Sequence, residues 1–401
     1  MFLVKGDGLT HFRAVEIQEL SVLTQQKELK VSIGIVAYNE ANFIDKMLES
    51  LLQQNLIQEI LFKGKSSESS QTSNQSLTVE IIVIPNGCSD NTAEIARNKL
   101  QTSIDLTEND RMTWQVIEVE QPGKSNAWNL YVHSLSDPDA QYLVLMDSDI
   151  QLLDPQTLGS LVQLLEVRSE AWVAVDRPIK DVKLKTEKTL IEKLSIAASS
   201  LSGNAPSPGK PSWLCGQLYC GRADILRKIY LPTTLPTQDA FLYEILTTEG
   251  RTTSRKPERV ILADSASHVF ESYIRPNRLL RHERWLIIGA AINQLIYSEL
   301  SPQIKSFEDA GHLIKCWNEQ DPMWVNHLVE KVHKNNQWWL IPSWVLTRRF
   351  QIWRRKPWFK PILLAPLAAI AFGLDLLLSI QANWQLLHGK GLGYWKQTSS
   401  S

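Results

Sequence analysis

The first part of the chain alternates short, continuously apolar runs with stretches whose apolar residues recur at helical spacing. The run at residues 142–146 is apolar throughout, which is typical of a strand that is buried on both faces. Such an alternation predicts an α/β domain with a Rossmann-like, mostly parallel sheet and flanking helices. The predicted strands cover residues 31–37, 79–84, 114–119 and 142–146.

Polar residues follow each predicted strand. Because open α/β sheets bind ligands outside the carboxyl ends of their strands, we expect these residues to share one crevice. Two carboxylates two positions apart offer hard oxygen ligands to Mg²⁺ or Mn²⁺ that also coordinates phosphates. A lone Asp-x-Asp is more often a solvated turn, so the strand context carries the prediction. The residues are Tyr38-Asn39-Glu40, Asn86-Gly87, Lys124 and Asp147-Ser148-Asp149.

Composition excludes several classes of protein. The 42 Lys and Arg nearly balance the 43 Asp and Glu, which argues against a nucleic-acid partner, and a mean hydropathy of -0.18 excludes a polytopic membrane protein. The four cysteines contain no Cys-x-x-Cys pair and the N-terminus shows no secretory signal. We therefore expect reduced thiols and the bulk of the chain in the cytoplasm.

The C-terminal region has a different composition. Nine of the 14 tryptophans follow residue 316, and residues 361–380 are largely apolar, with Asp375 as their one charge. This segment is long enough for a hydrocarbon core of about 30 Å. The positive-inside rule places its N-terminal side in the cytoplasm, because six basic residues precede it and two follow. These are Arg348, Arg349, Arg354, Arg355, Lys356 and Lys360 before it, and Lys390 and Lys396 after it.

The way in which this segment meets the membrane stays open at this point. Asp375 in hydrocarbon would cost about 3 kcal/mol unless it met water or a partner. A spanning helix, a re-entrant helix, a helix in the membrane plane and a buried core helix all fit the composition. The aromatic residues 338–344, followed by arginines, are typical of an interfacial helix.

These observations predict five units along the chain. Residues 63–78, rich in Ser, Gln, Thr and Asn, should form a loop insertion. The units are an N-terminal extension at 1–29, a catalytic domain at 30–300, a helical interfacial connector at 301–360, the candidate transmembrane or re-entrant helix at 361–381 and a tail at 382–401.

Across residues 30–290 the order of motifs resembles glycosyltransferase family 2. The resemblance implies a GT-A fold, a nucleotide-diphosphate sugar donor, a divalent metal (Mg²⁺ or Mn²⁺) and inversion at the anomeric carbon. The motifs are V-S-I-G-I-V-A-Y-N-E, P-N-G-C-S-D-N-T, P-G-K-S-N-A-W-N, D-S-D, Q-D and R-H-E-R-W.

The resemblance also implies roles for single residues. It places Asn39, Glu40 and Asn86 at the nucleotide, Lys124 at the donor and Asp147 near ribose or phosphate. Asp149 would bind the metal, with Asp147 and His268 as further candidate ligands. A lone histidine such as His268 is more often a structural, hydrogen-bonded residue. Many relatives have an acidic pair where this chain has Pro85-Asn86, so UDP is favoured while GDP and dTDP stay open.

Three further residues, which lie downstream of the Asp-x-Asp motif, complete the predicted chemistry. Displacement at an anomeric carbon needs a base for the acceptor hydroxyl and positive charge for the departing diphosphate. The resemblance gives the base role to Asp239, a stabilising role to Arg284 and an acceptor-stacking role to Trp285. The structural alternatives are that Asp239 caps the following helix and that the pentapeptide is a basic helix segment.

R-H-E-R-W has an arginine, Arg281, at its first position. In this it resembles the ceramide glucosyltransferase-like members of the family, whose acceptor is a membrane lipid. The sequence therefore predicts a membrane-associated enzyme that moves a single sugar to a lipid or lipid-linked acceptor. Three alternatives remain: transfer to a soluble glycan, a nucleotidyltransferase, and a silent membrane-binding module that has kept the fold.

Overall fold

A computed structural model describes residues 28–63, 76–104, 110–189, 192, 206–272, 275–335, 338–353 and 359–389. Most of the predicted N-terminal extension and part of the predicted tail lie outside these ranges. So do residues 64–75 of the predicted loop insertion, while residues 76–78 belong to a strand.

Eight strands form one sheet in the order β3-β2-β1-β4-β7-β6-β8-β5. The expected α/β fold, a sheet with flanking helices, is confirmed. The strands are β1 Glu28–Ala37, β2 Ser76–Pro85, β3 Met112–Val116, β4 Tyr142–Asp147, β5 Gln151–Leu152, β6 Val173–Lys180, β7 Leu218–Arg222 and β8 Val260–Phe270.

The half of the sheet from β3 to β4 is parallel throughout. Strand β1 pairs with β2 on one side and with β4 on the other, so the chain changes direction across the sheet at β1. In an open α/β sheet such a switch point opens a crevice at the carboxyl ends of the strands. The crevice here lies between the ends of β1 and β4.

The other half of the sheet is mixed. Strand β7 runs antiparallel to both β4 and β6, β6 is parallel to β8, and the short β5 is antiparallel to β8. The sheet is therefore mostly but not entirely parallel, because β7 lies directly beside β4 and runs in the opposite direction. This return brings residues just before β7 to the crevice at the end of β4.

Three of the four predicted strands lie inside observed ones, and one was misplaced. The third strand spans Met112–Val116 rather than residues 114–119. After Val116 the regular pairing ends, and Val119 forms an isolated bridge with Asn86. The apolar alternation continues past the strand because Val119 still packs against the core.

Helices cover both faces of the sheet, and each face has its own apolar core. One core holds α1, α2, α3 and α5. The other holds α4, α7 and the C-terminal helices. The helices are α1 Ile44–Leu52, α2 Asn55–Lys63, α3 Thr92–Ile104, α4 Lys124–Leu130, α5 Thr157–Val167, α6 Ala223–Leu226, α7 Gln238–Thr247, α8 Pro276–Leu300, α9 Phe307–Gln320, α10 Trp324–Lys334, α11 Ser343–Trp353 and α12 Phe359–Leu387.

The amphipathic prediction for the first helix is confirmed. Residues Ile44, Met47, Leu48, Leu51 and Leu52 are all buried on α1. Their spacing places them on one face, which packs on the sheet.

Helix α12 contains the apolar segment at 361–381. Its part Ala369–Leu387 is, among the described helices, the one long and apolar enough to cross a membrane, and 33% of that stretch is buried in the protein. Helix α12 packs against α8, α10 and α11. This packing fixes one side of the helix to the catalytic domain.

Candidate active site

The loop after β1 is held by the loop after β2. Asn39 has a left-handed backbone, with φ of 55°, and its Oδ1 accepts hydrogen bonds from the Ser89 backbone N–H at 2.7 Å and from the Ser89 hydroxyl at 3.3 Å. The buried Glu40 donates its N–H to Thr92 Oγ1 at 2.8 Å. Both residues therefore lie just beyond the end of β1, at the edge of the crevice, and are held by the loop after β2.

The loop after β2 in turn holds the start of α4. The buried Asn86 accepts a hydrogen bond from the Gly123 N–H at 2.7 Å. Asn86 Nδ2 is buried with no hydrogen-bond partner in the described part of the chain. Gly123 has a φ of 151°, and α4 begins with Lys124 immediately after it. The turn directs the Lys124 side chain into the crevice.

Lys124 forms an ion pair with the buried Asp147 at the end of β4. Its Nζ lies 2.5 Å from Oδ1 and 2.7 Å from Oδ2 of Asp147, and it also donates to the Gly216 carbonyl at 3.2 Å. Burial acts to lower the pKa of Lys124, but the charges of Asp147, Asp149 and Asp239 outweigh it and raise the pKa. The lysine is therefore a permanent positive charge in the crevice.

The two acids after β4 have altered acidity. Burial raises the pKa of Asp147 to about 6 although Lys124 opposes the change. Burial also raises the pKa of Asp149, again against Lys124. Two carboxylates that are desolvated in one cavity gain from any further positive charge placed between them.

Asp239 enters the same crevice from α7. It is the second residue of that helix, whose N-cap is Thr237, so the alternative that Asp239 caps the helix is not what the structure shows. Its Oδ1 accepts a hydrogen bond from the Ala240 N–H at 2.9 Å. A Cβ atom on Gly216 would lie 3.0 Å from Asp239 Cβ, so glycine leaves the space that Asp239 occupies.

Helix α8 closes the crevice from the other side. It approaches the start of α7 at Gly289, where an added Cβ would lie 2.2 Å from Thr237 Oγ1. His282, Glu283 and Trp285 of α8 line the cavity. Arg284 is not among the lining residues; its Nη1 donates to Gln381 Oε1 of α12 at 3.1 Å.

These elements enclose a cavity of about 490 Å³. Five of the predicted residues line it: Lys124, Asp147, Asp149, Asp239 and Trp285. Asn39, Glu40, Asn86, His268 and Arg284 do not line it. The structure thus brings together the predicted acids, base, cation and stacking residue, which come from β4, α4, α7 and α8.

His268 lies fully buried beside the cavity in strand β8. Its Nδ1 lies 2.6 Å from Asp176 Oδ2 and its Nε2 lies 3.3 Å from Gln217 Oε1. Gln217 itself lines the cavity. His268 therefore has the hydrogen bonds expected of a structural histidine, and one of its ring nitrogens faces a residue that lines the cavity.

The donor set suits a divalent metal that shares its ligands with a substrate. No cluster of three or more His, Cys, Asp or Glu able to hold a metal occurs in the described ranges. Asp147 and Asp149 can supply two oxygens, and Mg²⁺ or Mn²⁺ at phosphates commonly takes one or two carboxylates and completes its shell with phosphate and water. The residues present fit such an ion.

Sequence reasoning missed several lining residues. Lys180 at the end of β6 and Glu271 after β8 line the cavity, and nothing in their local sequence distinguishes them from surface charges. His282 and Glu283 lie inside the R-H-E-R-W motif and could have been found from it. Thr234, Thr237 and Gln238 also line the cavity, directly before Asp239.

Residues 32–212 match the family model described as glycosyl transferase family 2. This range contains the ends of β1, β2 and β4 and the start of α4, and it ends before Asp239 and α8. No match was found among the curated proteins.

Several solved structures are similar over much of their length. The mannosyltransferase from Pyrobaculum calidifontis in complex with GDP-Man and Mn²⁺ is 15% identical, with 94% of each chain covered and a TM-score of 0.47. Glucosyl-3-phosphoglycerate synthase from Mycobacterium tuberculosis is 16% identical, covering 74% of this chain and 85% of that chain, with a TM-score of 0.40. TarS 1-349 from S. aureus is 15% identical, covering 90% and 92%, with a TM-score of 0.40.

Proposed function

We propose that this chain, whose residues 32–212 match the glycosyl transferase family 2 model, is a glycosyltransferase that moves a single sugar from a nucleotide-diphosphate donor to a lipid or lipid-linked acceptor, with inversion. One observation carries the proposal. Lys124, Asp147 and Asp149 at the strand ends share a cavity with Asp239 and Trp285, which come from helices on its other side.

The strand-end side of the cavity suits the donor. Asp147 and Asp149 would hold Mg²⁺ or Mn²⁺, which supplies positive charge to the diphosphate when bound. Lys124 adds a second, permanent charge beside the same group. Asn39, Glu40 and Asn86 lie at the adjoining strand ends and would contact the nucleoside. The buried Asn86 Nδ2 offers a donor for a base or ribose oxygen.

The helix side suits the acceptor. In the proposed reaction Asp239 takes the proton of the acceptor hydroxyl while that oxygen forms the new bond to the anomeric carbon. The bond to the diphosphate breaks on the opposite face, and its electrons leave with the nucleoside diphosphate. Displacement from the opposite face inverts the configuration. Trp285 would provide a flat surface for a sugar or headgroup.

Buried polar atoms near Asp239 could form hydrogen bonds with the hydroxyl groups of a ligand. Thr234 Oγ1 and Gln238 Oε1 are buried in residues that line the cavity, and neither has a hydrogen-bond partner among the described residues. An unmade hydrogen bond of this kind costs about 1–3 kcal/mol. Ligand hydroxyls at these atoms would recover part of that cost.

Two features support an acceptor in the membrane. Arg281, the first residue of R-H-E-R-W, resembles the lipid-glycosylating branch of the family, and α12 is a long apolar helix packed on α8. Arg284 contacts α12 through Gln381, so the helix that lines the cavity also touches the apolar one. The catalytic domain would then lie on the cytoplasmic side of the membrane.

The proposal is tested with full-length protein in detergent, a panel of UDP, GDP and dTDP sugars, Mg²⁺ or Mn²⁺, and total membrane lipid. We expect labelled sugar in the lipid fraction for one donor, with equimolar release of nucleoside diphosphate and an inverted anomeric linkage by NMR. Asp239→Asn is the inactive control. Labelling of soluble glycan alone would overturn the lipid acceptor, pyrophosphate release would indicate a nucleotidyltransferase, and failure to bind any donor would contradict the enzyme itself.

A further inference from the structure

The outer side of α12 carries a stripe of exposed apolar side chains. Ile370 is 72% exposed, Leu377 60% and Trp384 51%, and the stripe recurs every three or four residues. Residues at this spacing lie on one face of a helix. The full stripe is Ile370, Leu374, Leu377, Ile380 and Trp384.

The inner side of α12 is held to the catalytic domain by polar contacts. Asp375 is fully buried and its Oδ1 lies 3.0 Å from Arg348 Nη2, which is also 3.0 Å from Glu283 Oε2 of α8. Asn383 Oδ1 accepts the Leu340 N–H at 2.7 Å. Leu378, Ser379, Ala382 and Leu386 are buried on the same side.

These contacts argue against a helix that spans a bilayer. The charged groups around Asp375 lie in the middle of the apolar segment, so a spanning helix would carry Glu283 of α8 and Arg348 of α11 to the hydrocarbon core. Each charge there costs several kcal/mol. Residues from Asp375 to Leu386 also lie along the protein, which leaves too few residues before them to cross about 30 Å of hydrocarbon.

A second exposed strip lies at the beginning of α8. Leu279 is 47% exposed, and Leu280 and Leu286 are 37% and 36% exposed. Leu279 and Leu286 also line the cavity, so this strip forms part of its mouth. Arginines alternate with these leucines: Arg275 and Arg281 are exposed and Arg278 is partly exposed.

We propose that the α8 strip (residues 275–286) and the outer stripe of α12 form one surface that docks on an anionic lipid bilayer. Helix α12 lies in the membrane plane and does not span, and the cavity opens toward the lipid headgroups. Leucine, isoleucine and tryptophan insert at the headgroup boundary, and the arginines pair with anionic lipid. The entry of a lipid acceptor through this mouth rests on the proposed function, whereas the docking itself does not.

The docking is tested by flotation of the full-length protein with vesicles of phosphatidylcholine containing about one third phosphatidylglycerol. We expect Leu377→Glu with Ile380→Glu to lower vesicle partitioning roughly tenfold or more, because the charges replace inserted apolar surface. Arg275→Gln with Arg278→Gln should lower it roughly fivefold per charge at low salt and less at high salt.

The matched control is Val167→Glu, since Val167 is 73% exposed at the end of α5 on another part of the molecule. We expect it to float like the wild-type protein. All variants should bind donor and Mn²⁺ in detergent with unchanged affinity, which shows that they fold. Unchanged flotation of the stripe variant would overturn the surface while leaving the enzyme intact, and absence of donor binding by the wild type would overturn the proposed function alone.

The orientation of α12 is tested with epitope tags at both termini in inverted membrane vesicles. An in-plane helix leaves both tags open to protease from the same side, whereas protection of the C-terminal tag alone would show that α12 spans and would overturn the arrangement. If the protein dimerises without vesicles and Leu377→Glu abolishes the dimer, the stripe is a contact between copies. That result would also overturn the proposed docking on a bilayer.

Discussion

The two sides of the cavity are built on different principles. On the strand-end side, Asn39, Asn86 and Lys124 lie at or near the ends of neighbouring parallel strands, and hydrogen bonds between the segments that follow these strands hold them in place. On the helix side, Asp239 and Trp285 come from two helices that meet where Gly289 faces Thr237. One side follows from sheet topology, while the other depends on how helices pack.

The family match covers only the strand-end side. Residues 32–212 include the strand ends, whereas α7 and α8 follow them. A motif at a strand end is fixed by two neighbouring strands. A residue on a packed helix depends on contacts that are distant in sequence. We therefore expect substitutions on the two sides to separate donor binding from transfer.

The largest effect is expected on the helix side. Asp239→Asn should lower turnover by roughly 10²–10⁴-fold because the amide cannot accept the hydroxyl proton. Donor affinity should stay within a factor of two or so of wild type, since the donor contacts lie across the cavity. Turnover and donor affinity are measured by diphosphate release and calorimetry. Asp224→Asn is the matched control, because Asp224 is an exposed second residue of α6; near-normal turnover of Asp239→Asn would remove it as the base.

The next effect belongs to the strand-end side. Asp149→Ala should weaken donor binding in the presence of Mn²⁺ by roughly 100-fold, as one of two carboxylates is lost. Binding without metal should change little. Calorimetry with and without Mn²⁺ measures both, and Asp264→Ala, at an exposed acid on β8, is the control. Equal affinity of Asp149→Ala and wild type with Mn²⁺ would contradict the metal role.

A third substitution addresses the helix packing behind the acceptor side. Asp375→Asn should lower the free energy of unfolding by about 2 kcal/mol, because Arg348 loses its buried partner while it keeps Glu283. Urea unfolding in detergent measures the loss. Glu319→Gln, in an exposed pair with Lys315, should cost almost nothing. A loss as small as that of Glu319→Gln would show that the buried pair does not hold α12 in place.

The smallest effect concerns His133, where α9 approaches the turn after α4. Burial lowers the pKa of His133, and Lys315 and Arg227 act in the same direction. The unfolded chain therefore binds a proton at His133 more readily than the folded protein does. The neutral His133 ring contributes to the stability of the folded protein above about pH 6.5, and this contribution is lost as the pH falls below that value.

His133→Phe keeps a flat ring against Tyr230, 3.7 Å away in the present stack, and removes the titration. When the pH is lowered from 7.5 to 5.5, the free energy of unfolding of His133→Phe, measured by urea titration, should fall less than that of the wild-type protein. His312→Phe, at an exposed histidine, serves as the control. Identical slopes for wild type and His133→Phe would contradict the effect.

The parallel half of the sheet, from β3 to β4, could be predicted from sequence. Runs of apolar residues give the strands, because a strand buried on both faces has no polar positions. The end of β3 could not be found this way, since Val119 packs in the core without regular pairing. The mixed second half was also beyond reach, because the direction of β7 is set by its pairing with β4 and β6.

The site divides in the same way. The sequence by itself determined that acids, an amide and a lysine would meet at strand ends, because parallel strands end at one edge. Only the tertiary structure decided that Arg284 contacts α12 rather than lining the cavity, and that Lys180 and Glu271 do line it. It also paired Asp375 with Arg348, since burying a carboxylate requires a partner that can lie anywhere in the chain.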